Sequence, residues 1–460
     1  MSEGKQNKGL VIVIAAIAST GGLLFGFDTG VISGAIPFLE QDFALTDSQI
    51  ENITAFGLIG AVIGAFFGGR ITDVLGRKKV ILASAIIFAT GAWWSGAAPN
   101  VTQLLISRLY LGLAIGVSSF AVPLYIAEIS PTKIRGILVS LFQLLITVGI
   151  LVSFISDYAI ADNDNLASWR PMFYVGIIPA IILLVGVIFL PETPRWLMSK
   201  GREDESRKVL EKIEEPALID NAIKEMKEEL EKDSEQAGWT EIFKPWMRYA
   251  LLIAIGIMFF QQFVGINTVI YYSPKIFLKA GFVGNEGSIA PSIIVGVVNV
   301  LFTVVSLFLI DRIGRRKIFF IGTTGIVISL VLMGLSFAMA DQMGGMSKWF
   351  LVGSMLIYIA FFAISLGPLG WLIISEVFPL RVRGLGASIG SLSNWGFNTL
   401  VVWTFFKLMN FLGDAEVFWF FAVIGVIGLI WGYKFIPETK GVTLEKIEEH
   451  WRQGKAPNEL

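Results

Sequence analysis

"DVLGRKK", residues 73–79, returns later in the chain as "DRIGRRK", residues 311–317. Two more pairs follow in the same order: "AEISPTKIRG" at 127–136 with "SEVFPLRVRG" at 375–384, and "PETPR" at 191–195 with "PETKG" at 437–441. The offset is about 240 residues each time, and chance matches do not hold register through three motifs. The chain therefore reads as a duplicated unit. Each motif sets acids and bases beside long apolar runs, so both copies end those runs on the same kind of charged boundary.

Those runs decide the solvent. Of 460 residues, 54% are hydrophobic and 16% charged, against about 25% charged in a soluble domain. The 48 glycines and 36 phenylalanines suit helices packed in lipid, where small residues let backbones approach closely. About twelve segments come near the ~20 residues that cross a bilayer. They lie at 10–35, 54–72, 80–97, 103–126, 137–158, 171–190, 249–272, 290–310, 318–340, 349–374, 385–411 and 416–436. The first follows Lys5 and Lys8 but is too long for a signal-peptide core, lacks a small-residue cleavage site and is followed by many like it. Residues 195–247 differ: "EDESRKVLEKIEE" carries apolar residues at helical spacing among mixed charges, the pattern of short amphipathic helices in water.

The expected fold is all-α and integral to the membrane, with twelve transmembrane helices in two six-helix halves. Residues 1–194 form the first half, 195–247 a cytosolic helical linker, 248–440 the second half and 441–460 a cytosolic tail. Lys and Arg gather in the loops after helices 2, 4, 8 and 10, whereas 39–52 and 97–103 have none. The positive-inside rule then places the basic loops, the linker and both termini in the cytosol. Lys275 and Lys279, read as following helix 7, are the main exception. The interface between the repeats is the expected place for a central site.

Composition also excludes. There is no cysteine, and the one histidine, His450, lies in the charged tail, so disulfides, thiol chemistry and histidine-based metal sites have no raw material. No cofactor or metal is expected. No phosphate loop or nucleophile–base arrangement supports an enzyme, and a net charge of −1 gives no sign of a nucleic-acid partner.

Polar residues inside apolar helices carry the functional signal. Asp28 is the one ionisable side chain between Leu10 and Ile36, and a charge at mid-membrane depth costs about 2.5–3.5 kcal/mol on insertion scales. Helix 4 offers Arg108 as its partner. Such a pair can be structural, fixing helix 1 against helix 4, although desolvation offsets much of its attraction. It can equally be a proton site that loads on one side and releases on the other. At the helix ends, Asp73 with Arg77 and Asp311 with Arg315 sit near the aqueous phase, with Glu128, Arg135, Glu376 and Arg383 as further partners. These charges can anchor helix ends, or they can pair in one conformation and part in another.

The motifs "GGRITDVLGRKK", "RLYLGLAIG", "PLYIAEISPTKIRG", "PETPRW", "QQFVGIN", "DRIGRRK", "GWLIISEVFP" and "PETKG" occur in this order. On them, the chain resembles the sugar porter family of the major facilitator superfamily from residue 10 to residue 445. The resemblance implies a sugar bound between the halves and alternating access by rocking of one half against the other. It assigns the cytosolic gate to the motif charges above, joined by Glu192, Arg195 and Glu438.

A pyranose needs side chains that both donate and accept, as amides do, and a flat aromatic surface for its C–H face. Helix 7 holds Gln261, Gln262 and Asn267 around Gly265, a local break that can expose backbone to a cavity. Helix 5 holds Gln143, helix 8 Asn299, helix 10 Trp371, and helix 11 Asn394, Trp395 and Asn398; Asn394 and Asn398 share one face. These positions match the family's sugar-contacting motifs, against the alternative that amides simply join helices. Ile150, two turns from Gln143 on nearly the same face, stands where xylose-specific relatives resemble one another in carrying a second Gln. That favours a hexose such as glucose. The resemblance also bears on Asp28, because proton-coupled members have Asp there and passive animal facilitators Asn. Asp28 is thus expected to carry a coupling proton, with Arg108 modulating it.

The reading reached from the sequence is a monomeric proton–hexose symporter of the cytoplasmic membrane, with a monosaccharide, a proton and the lipid bilayer as partners. Alternatives are a passive facilitator, a symporter for xylose, galactose or a polyol, and a sugar sensor. Sensors usually carry long cytosolic extensions, whereas the tails here are short.

Overall fold

The computed structural model describes residues 8–131, 134–233, 239–379, 382–442 and 444–460. Every regular element among them is helical. The first half contributes α1 (Lys8–Asp42), α2 (Asp47–Leu75), α3 (Arg77–Ala97), α4 (Val101–Ile129) and α5 (Arg135–Ile160). Its α6 comes in two pieces, Trp169–Val175 and Ile177–Phe189. The second half contributes α7 (Arg248–Phe263 and Ile266–Lys279), α8 (Asn285–Ile313) and α9 (Arg315–Ala338). It continues with α10 (Ser347–Ile364 and Leu366–Val377), α11 (Arg383–Leu412) and α12 (Glu416–Phe435). Short helices Pro194–Ser199, Glu203–Ile213, Ile219–Asp233 and Trp239–Ile242 fill the charged linker, and Leu444–Arg452 follows α12.

Among the described residues, eleven helical segments are long and apolar enough to cross a membrane. α11 is not among them. It carries Ser388, Ser391, Ser393, Asn394, Asn398, Lys407 and Asn410, and Asn394 and Asn398 are buried in the bundle rather than turned to lipid. Large apolar side chains such as Phe66, Ile178, Phe308 and Ile430 are exposed, as the outer surface of a membrane bundle requires.

Local chemistry explains the starts and breaks. Thr46 and Gln49 form a reciprocal capping box at the head of α2, satisfying amides that the first turn leaves unpaired. Asn100 accepts from the Gln103 amide to start α4. α7 breaks at Gly265, whose φ of +87° is a left-handed conformation that costs glycine little. α10 breaks at Ser365. The sequence reading did not foresee this break, yet Pro368 three residues on lacks an amide hydrogen, and its ring crowds the carbonyl of residue 364.

Close backbone contact organises the first half. Gly22, Gly26, Gly30 and Gly34 recur every fourth residue along α1 and face α5; a Cβ at Gly26 would overlap the Ile146 carbonyl. Between α2 and α4, Gly60 meets the Leu109 carbonyl while Gly112 meets that of Gly57. Such small-residue stripes let dispersion and weak backbone contacts hold helices together where no hydrophobic effect operates.

One expectation needs correction. Lys275 and Lys279 do not follow helix 7 but lie inside its second segment. Lys275 is only 7% exposed, and its ammonium contacts Glu40 at 2.9 Å and Asp47 at 2.7 Å. Two carboxylates from the other half neutralise it, so the helix can continue through a position that composition alone marks as loop.

Candidate functional site

The bundle has two ends: the linker end, where the charged motifs and the linker helices sit, and the distal end opposite. At the linker end the duplication extends to individual atoms. Arg77 Nη2 donates to Glu128 at 3.0 Å and Arg315 Nη2 to Glu376 at 2.8 Å. Glu192 accepts from the Arg77 and Lys78 amides, as Glu438 does from those of Arg315 and Arg316. Thr193 donates to Glu128 and Thr439 to Glu376. Asp73 and Asp311 pair with the same arginines at 3.2 and 3.0 Å while remaining exposed. Burial pushes the Glu192 carboxyl above its usual range, opposed by the amides of Thr193, Lys78 and Arg77.

All these bonds stay within one half. Gly76 and Gly314, at φ +95° and +100°, turn the chain so that the carboxylates reach the α3 and α9 amides, and a side chain on either glycine would strike the glutamate. Arg135 is exposed, with its Nε 3.4 Å from the Ser130 carbonyl. Arg195 is exposed and engaged in a contact of its own. The side chain of Arg383 lies outside the described residues.

In the interior of the first half, Arg108 donates to both oxygens of Asp28, at 2.5 and 2.9 Å. They are 2% and 7% exposed. The guanidinium also lies 5.8 Å from the Phe173 ring centre, and Gly57 of α2 leaves room for it. Arg108 Nε is buried without a partner among the described residues. Tyr271 of α7 approaches Thr29, next to Asp28, from the other half.

In the second half four amides, Gln261, Gln262, Asn267 and Asn394, form one connected network. Gln261 Nε2 donates to the carbonyls of Leu366 and Gly367 at the α10 break, at 2.6 and 3.2 Å. Its Oε1 accepts from Gln262 at 3.1 Å and from Asn394 at 2.6 Å. Asn267 donates to Gln262 Oε1 at 2.7 Å. A primary amide has two hydrogens and two lone-pair sites, so Gln261 is saturated by protein. Gln262 keeps one hydrogen and one lone-pair site, and Asn267 keeps its carbonyl oxygen and one hydrogen. On α11, Trp395 Nε1 and Asn398 Oδ1 are buried with no partner among the described residues, and Trp395 lies 5.2 Å from Phe25 of α1 across the halves. Gln143 is half-buried on α5, Ile150 and Asn299 are buried on α5 and α8, and Trp371 is 41% exposed on α10. None of these four belongs to the amide network.

Polar bonds between the halves cluster at the distal end. Besides Lys275 with Glu40 and Asp47, Asn410 donates to Asp47 at 3.0 Å, Trp403 to Asn52 at 2.7 Å and Gln41 to Asn285 at 3.0 Å. At the linker end Trp371, Arg135 and Ile137 are exposed.

Two buried acids escaped the sequence reading. Glu51, at the head of α2, and Asp157, on α5 against Gly34, are both fully buried. Neither carboxylate oxygen of Asp157 has a partner among the described residues. The available signal was the same as for Asp28, a lone acid within or beside an apolar span.

A duplicated twelve-helix bundle with a polar centre, its halves bonded to each other at the distal end, is a membrane transporter of the major facilitator fold. The family model "Sugar (and other) transporter" matches residues 14–451, and the chain belongs to that family: it is a transporter and not an enzyme. It is 40% identical to the glucose transporter GlcP of Staphylococcus epidermidis, over 98% of both chains. It is 37% identical to the galactose-proton symporter of Escherichia coli, over 100% of this chain and 98% of that one. The solved structure of the proton:xylose symporter XylE bound to 6-bromo-6-deoxy-D-glucose superposes with a TM-score of 0.81 at 33% identity, covering 97% of this chain and all of that one.

Proposed function

We propose that the protein is a proton-coupled symporter of a hexose, with glucose the first candidate, working by alternating access across the cytoplasmic membrane. The observation that carries the coupling is the buried, two-pronged Asp28–Arg108 pair. A carboxylate kept in a lipid-embedded half at this cost, with a partner that can be withdrawn, is suited to bind and release a proton. The relatives named for glucose and for galactose with a proton support the same reading.

The sugar is assigned to the space beside the amide network. Gln262 and Asn267 offer spare donors and acceptors, and the unpartnered Trp395 Nε1 and Asn398 Oδ1 await hydroxyls. Gln143 and Asn299 extend the polar lining, and Trp371 supplies an aromatic face. Gln261 acts as a positioning residue that ties α7 to α10 and α11. Ile150, apolar and adding no hydroxyl partner, favours a hexose over xylose. The basic loops and the linker support a cytosolic linker end and cytosolic termini; on that reading the bonded distal end faces outward, the conformation is inward-facing and the motif charges belong to its cytosolic rim. One chain holds the whole site, which supports a monomer.

The test is radiolabelled glucose uptake into vesicles carrying an imposed proton gradient, with galactose, xylose and a polyol as competitors. Concentrative uptake abolished by a protonophore supports symport. Equilibration alone, unaffected by the protonophore, supports a facilitator.

A further inference from the structure

The amide hydrogens of Phe406 and Lys407 lie in the last third of α11, where a regular helix pairs them with the carbonyls of Val402 and Trp403. Here both donate to one oxygen of Glu51 from the other half, at 2.7 and 3.1 Å. The Val402 carbonyl in turn accepts the Tyr272 hydroxyl at 3.1 Å. The turn at 402–407 is thus served on one side by a tyrosine of its own half and on the other by a carboxylate reaching across the interface. Insertion of a side chain into a helix ladder is a recognised cause of local bending. Glu51 is 0% exposed, and its one nearby cation, Lys407 at 3.5 Å, is itself exposed. A carboxylate desolvated to this degree depends on the bonds it makes.

We propose that Glu51 is a positioning residue of the transport cycle: its carboxylate, by engaging the Phe406 and Lys407 amides, ties α2 to α11 and holds the distal end closed. This rests on the alternating-access reading above. When the distal end opens, α2 and α11 part and Glu51 returns to water. α11 also carries Asn394, Trp395 and Asn398, so closure at the distal end is transmitted to the substrate side of the same helix. The ion pairs of Lys275 lie closer to solvent at the same end, and salt screens exposed partners more strongly than buried ones. The backbone cap is therefore the main lock.

The chain has no native cysteine, so labels at Ser48→Cys and Phe411→Cys, both exposed at the distal end, report only that gap. Double electron–electron resonance on the full chain in nanodiscs should give mainly the short, closed distance. Glu51→Ala should move the closed-to-open ratio about tenfold toward the longer distance, as expected for losing charge-assisted bonds to two amides. Glu51→Gln, which keeps one acceptor and the shape, should fall between. Lys407→Ala should leave the distribution close to that of the parent. Unchanged distances in both Glu51 variants would overturn the proposal, as would a shift in Lys407→Ala as large as that in Glu51→Ala. The readout needs no sugar or proton, so it stays informative even if the transported substrate proves to be different.

Discussion

Arg108 closes on Asp28 with both terminal nitrogens, so a helix 4 cation occupies the two oxygens of a helix 1 acid at the centre of one half. Such a pair is electrically neutral as long as it holds. On the proposed coupling, a proton on Asp28 would take the place of Arg108 as its counter-charge, so that loading the proton and releasing the arginine go together. Asp28→Asn keeps the shape but cannot cycle a proton. It should lose concentrative uptake while retaining sugar exchange, measured as counterflow. A variant that still concentrates sugar would rule out Asp28 as the proton carrier.

Gln262→Ala should lower sugar affinity at least about tenfold with normal membrane insertion, because hydroxyls left unpaired in a dry site cost about 1–3 kcal/mol. Gln261→Ala should differ in kind. It removes the strut between α7, α10 and α11, so thermal stability in detergent should fall together with affinity. Calorimetric binding and melting of the two variants separate a contact from a strut.

Ile150→Gln adds an amide on the Gln143 face of α5. Competition assays should show xylose gaining on glucose. An unchanged preference would remove the reason for naming a hexose.

The α1–α5 contact can be tested without touching the site. Gly26→Ala drives a methyl into the Ile146 carbonyl and should destabilise the protein by about 1–3 kcal/mol or more, the usual range for overpacking. Gly396→Ala, where a Cβ meets nothing within 4 Å, should be nearly silent. Thermal unfolding in one detergent compares them directly.

The repeated motifs and the twelve apolar runs were legible because both are local: a span needs only about 20 apolar residues, and a duplicated motif announces itself by spacing. The break at Gly265 was legible for the same reason. α11 was read correctly as a helix although its polar residues depress its hydropathy. The α10 break was missed because its cause, Pro368, acts on a carbonyl one turn earlier.

Pairing is where the sequence by itself stopped. It named Asp28 and Arg108 as two buried charges, and it named Gln261 among several equivalent amides. Whether an amide faces a ligand or is spent on a neighbouring helix depends on which carbonyls lie within 3 Å of it. That is settled by how α7, α10 and α11 pack. The same holds for Lys275, which composition placed in a loop and which two carboxylates of the other half draw into the interior. Composition and period determined a twelve-helix membrane protein built twice over, because lipid makes each helix satisfy its own backbone. Only the tertiary structure decided which buried groups were paired, because hydrogen bonds and ion pairs act over a few ångströms between residues far apart in the chain, such as Glu51 and Phe406, 355 positions apart.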